Sequence, residues 1–449
     1  MGRFSTDDIN QKTGLVGSWL WTGCVESDLK TRILWSSLMG TTIEFYDFYI
    51  YGTASALVLG PAFFPGQSAT GQTLSALATF ALAFVARPVG AAIFGHWGDR
   101  FGRKSTWIAT LMLTGISTTC IGFLPDYSRW GIMAPLLLCL LRLGQGLGLG
   151  GEWGGAALVC TEHAPDHRRA WYGMFPQLGA PFGFILTNAA FYGVTRYFSA
   201  QDFLTWGWRL PFVASAILLA IGLGMRVTLA ETPQFMKANT KENTQRVPLV
   251  LLMREHRRSV LIGSLSMVSC YALFYISTVF CLGYGSHILH IPQSRMLALE
   301  CTAVVFMAIA IPISAWLADR VGRRPVVIIA SLLTLPCGLA MSLMLQPGHS
   351  GILLTWLSMA LGLMGALYGP MGAVLTELFP LSVRYSGTAL AYNLAGILGA
   401  SLAPYLATWL SIHVGLLGIG LYIVAAGLVS MLAFLVMQEG RGMSWSVES

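Results

Sequence analysis

Charged residues are scarce in this sequence: Asp, Glu, Lys and Arg make up only 10% of its 449 residues, whereas 55% are hydrophobic. Soluble domains have about 25% charged residues, so this composition excludes an ordinary soluble enzyme. The mean hydropathy of +0.65 agrees with that exclusion. The few charges are bunched, and the apolar stretches between the bunches are long enough to cross a hydrocarbon core of about 30 Å.

Two classes of motif are also missing. The eight cysteines show neither the CxxC spacing nor the Cys/His spacing of a metal site, so we expect no disulfide framework and no bound metal. No phosphate-binding loop of the G-x-x-x-x-G-K-[ST] type is present, which argues against an ATP-driven pump. We therefore expect no cofactor.

Apolar segments of transmembrane length are abundant. They predict an all-α membrane protein with twelve transmembrane helices, at residues 32–60, 71–96, 105–124, 131–161, 169–195, 207–228, 258–284, 294–317, 325–345, 351–379, 384–411 and 414–437.

The basic residues are distributed unequally about these spans. Most of the 27 lie at span ends that face one side, and only Arg129, Arg196, Arg209 and Arg295 face the other. By the positive-inside rule this places both termini in the cytoplasm of a bacterial cell, with the spans in its inner membrane. Topology then explains the net charge of +7, so no nucleic-acid partner is expected.

The two halves of the sequence share two motifs in the same order. DRFGRK (99–104) follows the second span and DRVGRR (319–324) follows the eighth, while Thr-Glu closes the fourth span at 161–162 and the tenth at 376–377. Parallel six-span repeats are typical of proteins that move a solute through a site between two bundles. The predicted organisation is a cytoplasmic N-terminal segment, a six-helix bundle, a cytoplasmic linker, a second six-helix bundle and a cytoplasmic tail, at 1–31, 32–228, 229–257, 258–437 and 438–449.

Several stretches resemble a known family. GHWGDRFGRK (95–104) is similar to the loop signature of the major facilitator superfamily, although Ala315 replaces the leading glycine of the second copy. IEFYDFYIYG (43–52), FVARPVGAAIFG (84–95) and RLGQGLGLGGEWGGAALV (142–159) resemble the metabolite:proton symporter family, whose members carry shikimate, 2-oxoglutarate, citrate or proline and betaine. The GGEWGG form resembles the subgroup that includes shikimate transporters. The resemblance implies the major facilitator fold and a monomer.

Charged residues inside the predicted spans cluster in the first half, although each costs at least about 2.5–3.5 kcal/mol at a helix centre. They are Glu44, Asp47, Arg87, Arg142 and Glu152. Helical spacing places the first two on one face with Tyr51, and Arg142 on one face with Gln145 and Glu152. Depth along the helices matches Asp47 with Arg142 and Arg87 with Glu152, so we expect these two ion pairs.

Three carboxylates against two arginines leave one carboxylate without a basic partner. A carboxyl group in a low-dielectric site takes up a proton more readily than one in water, and a nearby cation reverses this, as proton transport requires. We therefore predict that Asp47, coupled to Arg142, carries the proton, and that Glu44 shares it or acts as a gate. Acidic first-span and basic fourth-span positions are implicated in proton coupling in related porters. The alternative is that these charges only hold helices together.

An arginine at mid-depth is also a bidentate receptor for a carboxylate, so we expect Arg142 to hold an acidic substrate when Asp47 is protonated. The second half offers only polar and aromatic groups, including Tyr368 and Tyr392, and Glu300 near its outer end. The candidate substrate-binding residues are Arg142, Arg87, Gln145, Glu152, Tyr51, Tyr271, Tyr275 and Asn393.

The repeated loops predict a cytoplasmic latch. Asp99 is placed to cap the third helix, and Arg103 to reach a carboxylate such as Glu162 of a neighbouring span. The alternative is that these residues only fix the topology. The candidate gate residues are Asp99, Arg100, Arg103, Glu162, Asp319, Arg323, Glu377 and Arg384.

Together these features predict a secondary active transporter, not an enzyme, that couples uptake of a small organic acid to a proton by alternating access. Its expected partners are the small-molecule carboxylate and the surrounding lipid. Two alternatives are an exporter of amphipathic compounds, which would share the fold, and a transport-derived nutrient sensor. The short segment after residue 437 holds no signalling domain, which counts against the sensor.

Overall fold

The computed structural model describes the backbone of residues 7–101, 103–228, 248–380 and 383–440. Within these ranges it describes all side chains except those of residues 7–30, 95–96, 98–104, 107, 225–228 and 248–251. Every regular element in the described ranges is helical.

Twelve long helices follow one another within these ranges, and we number them in order. They are α1 (Asp7–Leu57), α2 (Ala69–Phe101), α3 (Arg103–Phe123), α4 (Met133–Glu162), α5 (Arg169–Tyr197), α6 (Leu210–Thr228), α7 (Arg257–His287), α8 (Gln293–Val321), α9 (Arg323–Met344), α10 (Ser350–Glu377), α11 (Arg384–His413) and α12 (Leu416–Val436). The prediction of twelve helices is confirmed.

The connections contain short helices. They lie at Leu59–Phe63, Tyr127–Trp130, Asp166–Arg168, Ala200–Thr205, Gly207–Arg209 and Pro248–Glu255. The last of these lies within the predicted linker 229–257, of which residues 229–247 lie outside the described residues.

The start of α1 differs from the prediction. The first span was expected to begin at residue 32, but the helix begins at Asp7. Hydropathy located only the apolar part of this helix. The helical residues that precede residue 32 include several charges but no proline, and charged residues such as Lys and Glu are good helix formers.

Nine helices of the described residues are long and apolar enough to cross a membrane, namely α2, α4 and α6 to α12, and Ile108–Phe123 in α3 is a shorter apolar helix. The two remaining helices have polar residues in their interiors: α1 contains Glu44 and Asp47, and α5 contains Gln177 and Asn188. These residues lower the mean hydropathy of α1 and α5, and all of them are buried within the protein.

Both halves contain a fourth helix that is interrupted at the equivalent place. In α4 the helix Met133–Leu149 is followed by Glu152–Glu162, and in α10 the helix Ser350–Tyr368 is followed by Met371–Glu377. The first helix pieces end at glycines, Gly150 and Gly369, which lie against backbone atoms of Arg87 and Ile311 in the neighbouring α2 and α8. The pseudo-repeat inferred from two loop motifs is therefore also present in the helix geometry.

The helices pack mainly within their own half. In the first half α1 packs on α5, α2 on α4 and α3 on α6; in the second half α8 packs on α10 and α9 on α12. The principal contacts between the halves are α5 with α8 and α2 with α11. The buried core continues across this boundary, which positions side chains of both halves around one central region.

Candidate functional site

Asp47 lies in the C-terminal third of α1 with only 1% of its surface exposed. Ser215 of α6 donates a hydrogen bond to its Oδ1. Its Oδ2 is buried and has no hydrogen-bond partner among the described residues. A buried carboxyl oxygen without a donor is costly unless the group carries a proton or gains a partner, so this side chain is suited to changing its charge.

Arg142 of α4 is completely buried, and both terminal nitrogens of its guanidinium donate hydrogen bonds. It donates to Oε1 of Gln145 and, at 2.9 Å, to the carbonyl oxygen of Phe80. Its Cζ lies 3.8 Å from the ring centroid of Tyr51, whose hydroxyl is 2.6 Å from Oγ1 of Thr79. Tyr51 therefore serves as a platform that holds Arg142 in place.

The expected ion pair between Asp47 and Arg142 is wrong. No ion pair joins these two described side chains, and Gln145 lies between them instead. Its Nε2 donates at 2.6 Å to the backbone carbonyl of Asp47 and at 2.8 Å to Oγ1 of Thr118. Helical spacing placed Gln145 on the same face as Arg142, and its side chain bonds to both Arg142 and the backbone of Asp47 where the direct ion pair was expected.

Arg87 of α2 is 5% exposed and stacks on two rings: its Cζ lies 4.3 Å from the centroid of Phe48 and 4.7 Å from that of Phe84. The described residues provide no hydrogen bond or carboxylate for its guanidinium, and its Nε is buried without a partner. The expected ion pair with Glu152 is therefore wrong. Glu152 accepts a hydrogen bond of 2.9 Å from Thr110 of α3.

Tyrosines of both halves surround Arg87. It lies near Tyr49 of α1, Tyr271 and Tyr275 of α7, and Tyr392 of α11. The hydroxyl of Tyr271 is buried without a hydrogen-bond partner among the described residues. We call Arg87 with these four tyrosines the central cluster.

Tyr392 forms one wall of this cluster. Its ring stacks on that of Trp153 with centroids 3.8 Å apart and an interplanar angle of 7°. Its hydroxyl is 3.3 Å from that of Tyr368, and Nε1 of Trp153 donates at 3.1 Å to Gln177. Glu44, which is 9% exposed, lies within range of a charge interaction with Tyr392.

Asn393, a predicted substrate ligand, has a different contact. Its Nδ2 donates at 2.7 Å to the carbonyl of Gly150, and the hydroxyl of Tyr385 donates at 2.8 Å to that of Gly151. These carbonyls are released by the interruption in α4. Two side chains of α11 thus bind the first half at the point where its fourth helix is broken.

A second polar cluster, which we call the Asp319 cluster, lies where α5 and α9 begin and where α8 and α10 end. Both oxygens of Asp319 accept backbone N–H bonds from the first turn of α5, at 3.0 Å from Ala170 and 2.8 Å from Trp171. Arg323 binds Asp319 at 3.3 Å and Glu377 at 3.1 Å. Asp319 therefore caps a helix of the other half, which is a direct link between the two halves.

The predicted gate residues are only partly tested by these contacts. Asp319, Arg323 and Glu377 meet as expected, and Arg384 donates at 3.1 Å to the carbonyl of Phe379 and lies within charge range of Glu162. The side chains of Asp99, Arg100 and Arg103 lie outside the described residues.

Sequence reasoning missed several residues of these clusters. Arg169 lies 4.0 Å from Glu377, and Glu439 accepts N–H bonds from Arg323 and Arg324 at 3.0 and 2.9 Å, which caps α9. Ser215 and Trp153 were also missed. A short sequence motif could not reveal them, because each acts through a partner that is distant in the sequence. Among the described residues no group of three or more His, Cys, Asp or Glu side chains could hold a metal ion.

Comparisons with known proteins agree with this architecture. Residues 33–249 match the family "Sugar (and other) transporter", and residues 288–448 match "Major Facilitator Superfamily". The inner membrane metabolite transport protein YhjE of Escherichia coli (strain K12) is 47% identical over 420 residues, which cover 92% of this chain and 96% of that protein. The chain belongs to the major facilitator superfamily. The shikimate transporter of the same organism is 33% identical, with coverage of 91% and 95%.

A solved structure of this superfamily has the same fold. The proton:xylose symporter XylE bound to 6-bromo-6-deoxy-D-glucose superposes with a TM-score of 0.73 at 19% identity, covering 93% of this chain and 98% of that one. This superfamily member is therefore a multi-pass membrane protein and a secondary transporter of metabolites, and it is not an enzyme.

Proposed function

We propose that this transporter couples the inward movement of a small organic acid to that of a proton by alternating access. The observation that carries the proposal is Arg87, a buried cation whose guanidinium has no anionic partner among the described residues. Desolvating a cation without a counter-charge is costly, so this group favours a ligand that brings a negative charge.

A carboxylate is the ligand that suits Arg87. The planar guanidinium can donate two parallel hydrogen bonds to a carboxylate, and the rings of Phe48 and Phe84 fix the orientation of the guanidinium plane. The hydroxyls of Tyr271 and Tyr275 come from the other half and suit the hydroxyl or ring substituents of such an acid. One small acid would then contact both halves, so its binding would favour their closure around it.

Arg142 is less suited to this role than Arg87. Its two terminal nitrogens already donate to Gln145 and to the Phe80 carbonyl, and it is completely buried. We assign it instead a fixed positive charge that is linked to the backbone of Asp47 through Gln145.

Phe48 offers a physical connection between the two sites. It follows Asp47 in the sequence, and its ring centroid lies 4.3 Å from Cζ of Arg87 and 5.2 Å from Cζ of Arg142. A shift of α1 that accompanies a change of charge at Asp47 would reach Arg87 through this ring.

Charge balance gives a reason for coupling. A monovalent acid adds one negative charge at Arg87, and the proton adds one positive charge at Asp47. Loading both leaves the net charge of the closed site unchanged, whereas loading one alone leaves an extra buried charge, which is costly in the membrane. In this mechanism both termini lie in the cytoplasm, the protein acts as a monomer surrounded by lipid, and no cofactor other than the transported proton takes part.

Transport in proteoliposomes tests the proposal. An inward proton gradient is imposed, and uptake of labelled shikimate, 2-oxoglutarate, citrate, proline and betaine is compared. We expect one of these acids to accumulate, and Asp47→Asn to abolish accumulation while exchange of labelled for unlabelled substrate persists. The matched control is Asp202→Asn, an exposed aspartate near the end of α5.

The outcomes separate the candidate functions. Gradient-driven accumulation by Asp47→Asn would reject the proton assignment. Efflux driven by an opposite gradient would favour the exporter, and saturable binding without flux would favour the sensor.

A further inference from the structure

Glu300 is a buried carboxyl group that belongs neither to the central cluster nor to the Asp319 cluster. It lies on α8, in the second half, and faces Asn188 on α5, in the first half. Both side chains are completely buried, and Nδ2 of Asn188 donates to Oε2 of Glu300 at 3.2 Å. The pair therefore joins the two halves along the α5–α8 boundary, where these helices pack closely.

No cation of the described residues pairs with Glu300. On its own helix Arg295 is bound to Ser350 and Cys301 adjoins Glu300. On α7 Cys281 lies near Glu300, and His287 contacts the Ala56 carbonyl. The α10 segment Ser350–Tyr368, which packs on α8, contains no Asp, Glu, Lys or Arg.

The charged residues of the other neighbouring helices are at their ends. Arg323 and Arg324 begin α9, at the end distant from Glu300, and α5 has Arg169 and Arg196 near its two ends. An ionised Glu300 would thus be a buried charge with a neutral amide as its hydrogen-bond partner, which is strongly unfavourable.

Two unsatisfied atoms indicate how the pair is completed. Oε1 of Glu300 and Oδ1 of Asn188 are both buried and both lack a donor. A carboxylate and an amide oxygen are acceptors only, so no arrangement of the ionised pair can satisfy both. One proton on Oε1 satisfies both at once, because the hydroxyl donates to Oδ1 while Nδ2 donates to Oε2. The result is a ring of two hydrogen bonds between an acid and an amide.

We propose that Glu300 is a second proton-binding site of this transporter, and that its protonated carboxyl and Asn188 together hold α5 against α8. Loss of the proton removes one of the two hydrogen bonds and leaves a buried carboxylate, which favours separation of the helices and entry of water. The ligand of this site is the proton itself.

The position of the pair gives the site its role. Glu300 and Asp319 lie on the same helix, about 28 Å apart at about 1.5 Å per residue, and both contact α5. Hydrogen bonds therefore join α5 and α8 at both ends of their boundary: those of the Asp319 cap at one end, and that between Asn188 and Glu300 at the other. Protonation of Glu300 controls the second end, which is the outer end in the topology proposed above. This role in transport rests on the proposed function, whereas the protonation state does not.

Infrared spectroscopy tests the protonation state directly. The carbonyl stretch of a protonated carboxylic acid is compared between wild type and Glu300→Gln at neutral pH. We expect a band in the wild type that is absent from Glu300→Gln and retained in Asp47→Asn. A wild-type spectrum without that band at neutral pH would overturn the proposal. If Glu300→Gln does not insert into the membrane, Asn188→Leu replaces it, and a shift of the same band is expected because the amide partner is lost.

Hydrogen exchange tests the effect on the α5–α8 boundary. Glutamine mimics the protonated acid, since its amide can also form two hydrogen bonds with Asn188. At alkaline pH we expect the amides of α5 near Asn188 to exchange about tenfold faster in wild type than in Glu300→Gln at the same pH. Equal exchange in the two proteins, with equal transport rates, would assign Glu300 a purely structural role and overturn the proposal.

The two proposals fail in distinguishable ways. If Asp47→Asn still accumulates substrate with the proton gradient, the proposed function fails while the infrared band and the exchange difference remain. If these two signals are absent, Glu300 is excluded as a proton site even when Asp47 is essential for coupling.

Discussion

At the scale of single residues, two arginines of similar burial have opposite roles because their surroundings differ. Arg142 is bound to Gln145, to the Phe80 carbonyl and to the ring of Tyr51, whereas Arg87 has only aromatic rings and hydroxyls around it. A guanidinium whose two terminal nitrogens already donate to the protein acts as a fixed charge, while one whose terminal nitrogens have no such partner is available for a ligand. Burial alone would not have separated them.

Removal of Arg87 should therefore weaken substrate binding. We expect Arg87→Ala to bind the transported acid about 10- to 100-fold more weakly, since hydrogen bonds to charged groups contribute about 1.5–3 kcal/mol. Arg87→Lys should retain part of the affinity because it keeps the charge but loses the bidentate geometry. Isothermal titration calorimetry measures both, and exposed Arg196→Ala is the control. Wild-type affinity in Arg87→Ala would contradict the assignment.

Gln145 should be a stability residue. We expect Gln145→Leu to destabilise the protein by about 1–3 kcal/mol, because it leaves a donor of Arg142 unsatisfied and removes the hydrogen bond to the Asp47 carbonyl in a dry environment. Gln145→Glu should lose less, since it keeps an acceptor for Arg142. Thermal unfolding in detergent measures the difference. Equal melting temperatures for the two variants would mean that Gln145 is not the bridge described here.

At the scale of elements, glycines of α4 set its distance from α2. A Cβ at Gly146 would clash with the backbone of Ala83, and a Cβ at Gly150 would clash with that of Arg87. Small residues allow transmembrane helices to approach closely without side-chain entropy loss. The same approach places Arg142 against the Phe80 carbonyl, so the close packing of α2 and α4 is a condition for the site.

Gly146→Ala should consequently separate α2 from α4. We expect it to lower the melting temperature and to reduce transport, because both the packing and the Arg142 contact are disturbed. Gly193→Ala on α5 is the matched control: no atom lies within 4 Å of its Cβ position, and alanine is the better helix former by about 1 kcal/mol. A Gly146→Ala variant as stable as Gly193→Ala would contradict the packing role.

At the scale of the whole molecule, two carboxylates cap helices in the same way but join different partners. Asp319 caps α5 of the opposite half, while Glu439 caps α9 of its own half. Only the first contact must break when the halves separate at that end. Substitution of Asp319 therefore tests the predicted latch, and substitution of Glu439 is the control for the loss of a helix cap alone.

Asp319→Asn should favour opening at this end. The amide keeps one acceptor but loses the negative charge beside the positive end of α5, an interaction of about 0.3–1 kcal/mol. Spin-label distances between the adjacent ends of α5 and α8 should shift toward longer values, with insertion unchanged. Glu439→Gln should leave these distances as in wild type. If both variants open the boundary equally, the effect is local unfolding and no latch is present.

The sequence by itself determined the twelve helices, the division into two repeats and the polar faces of α1 and α4. These features depend on hydropathy and on the 3.6-residue period, which are local properties. Only the tertiary structure decided which polar groups meet. The ion pairs expected from helix depth were replaced by Gln145 and by the tyrosines around Arg87, and Glu300 acquired Asn188 from the other half. The physical reason is that the period fixes the faces of one helix, whereas the packing of neighbouring helices fixes its rotation and partners.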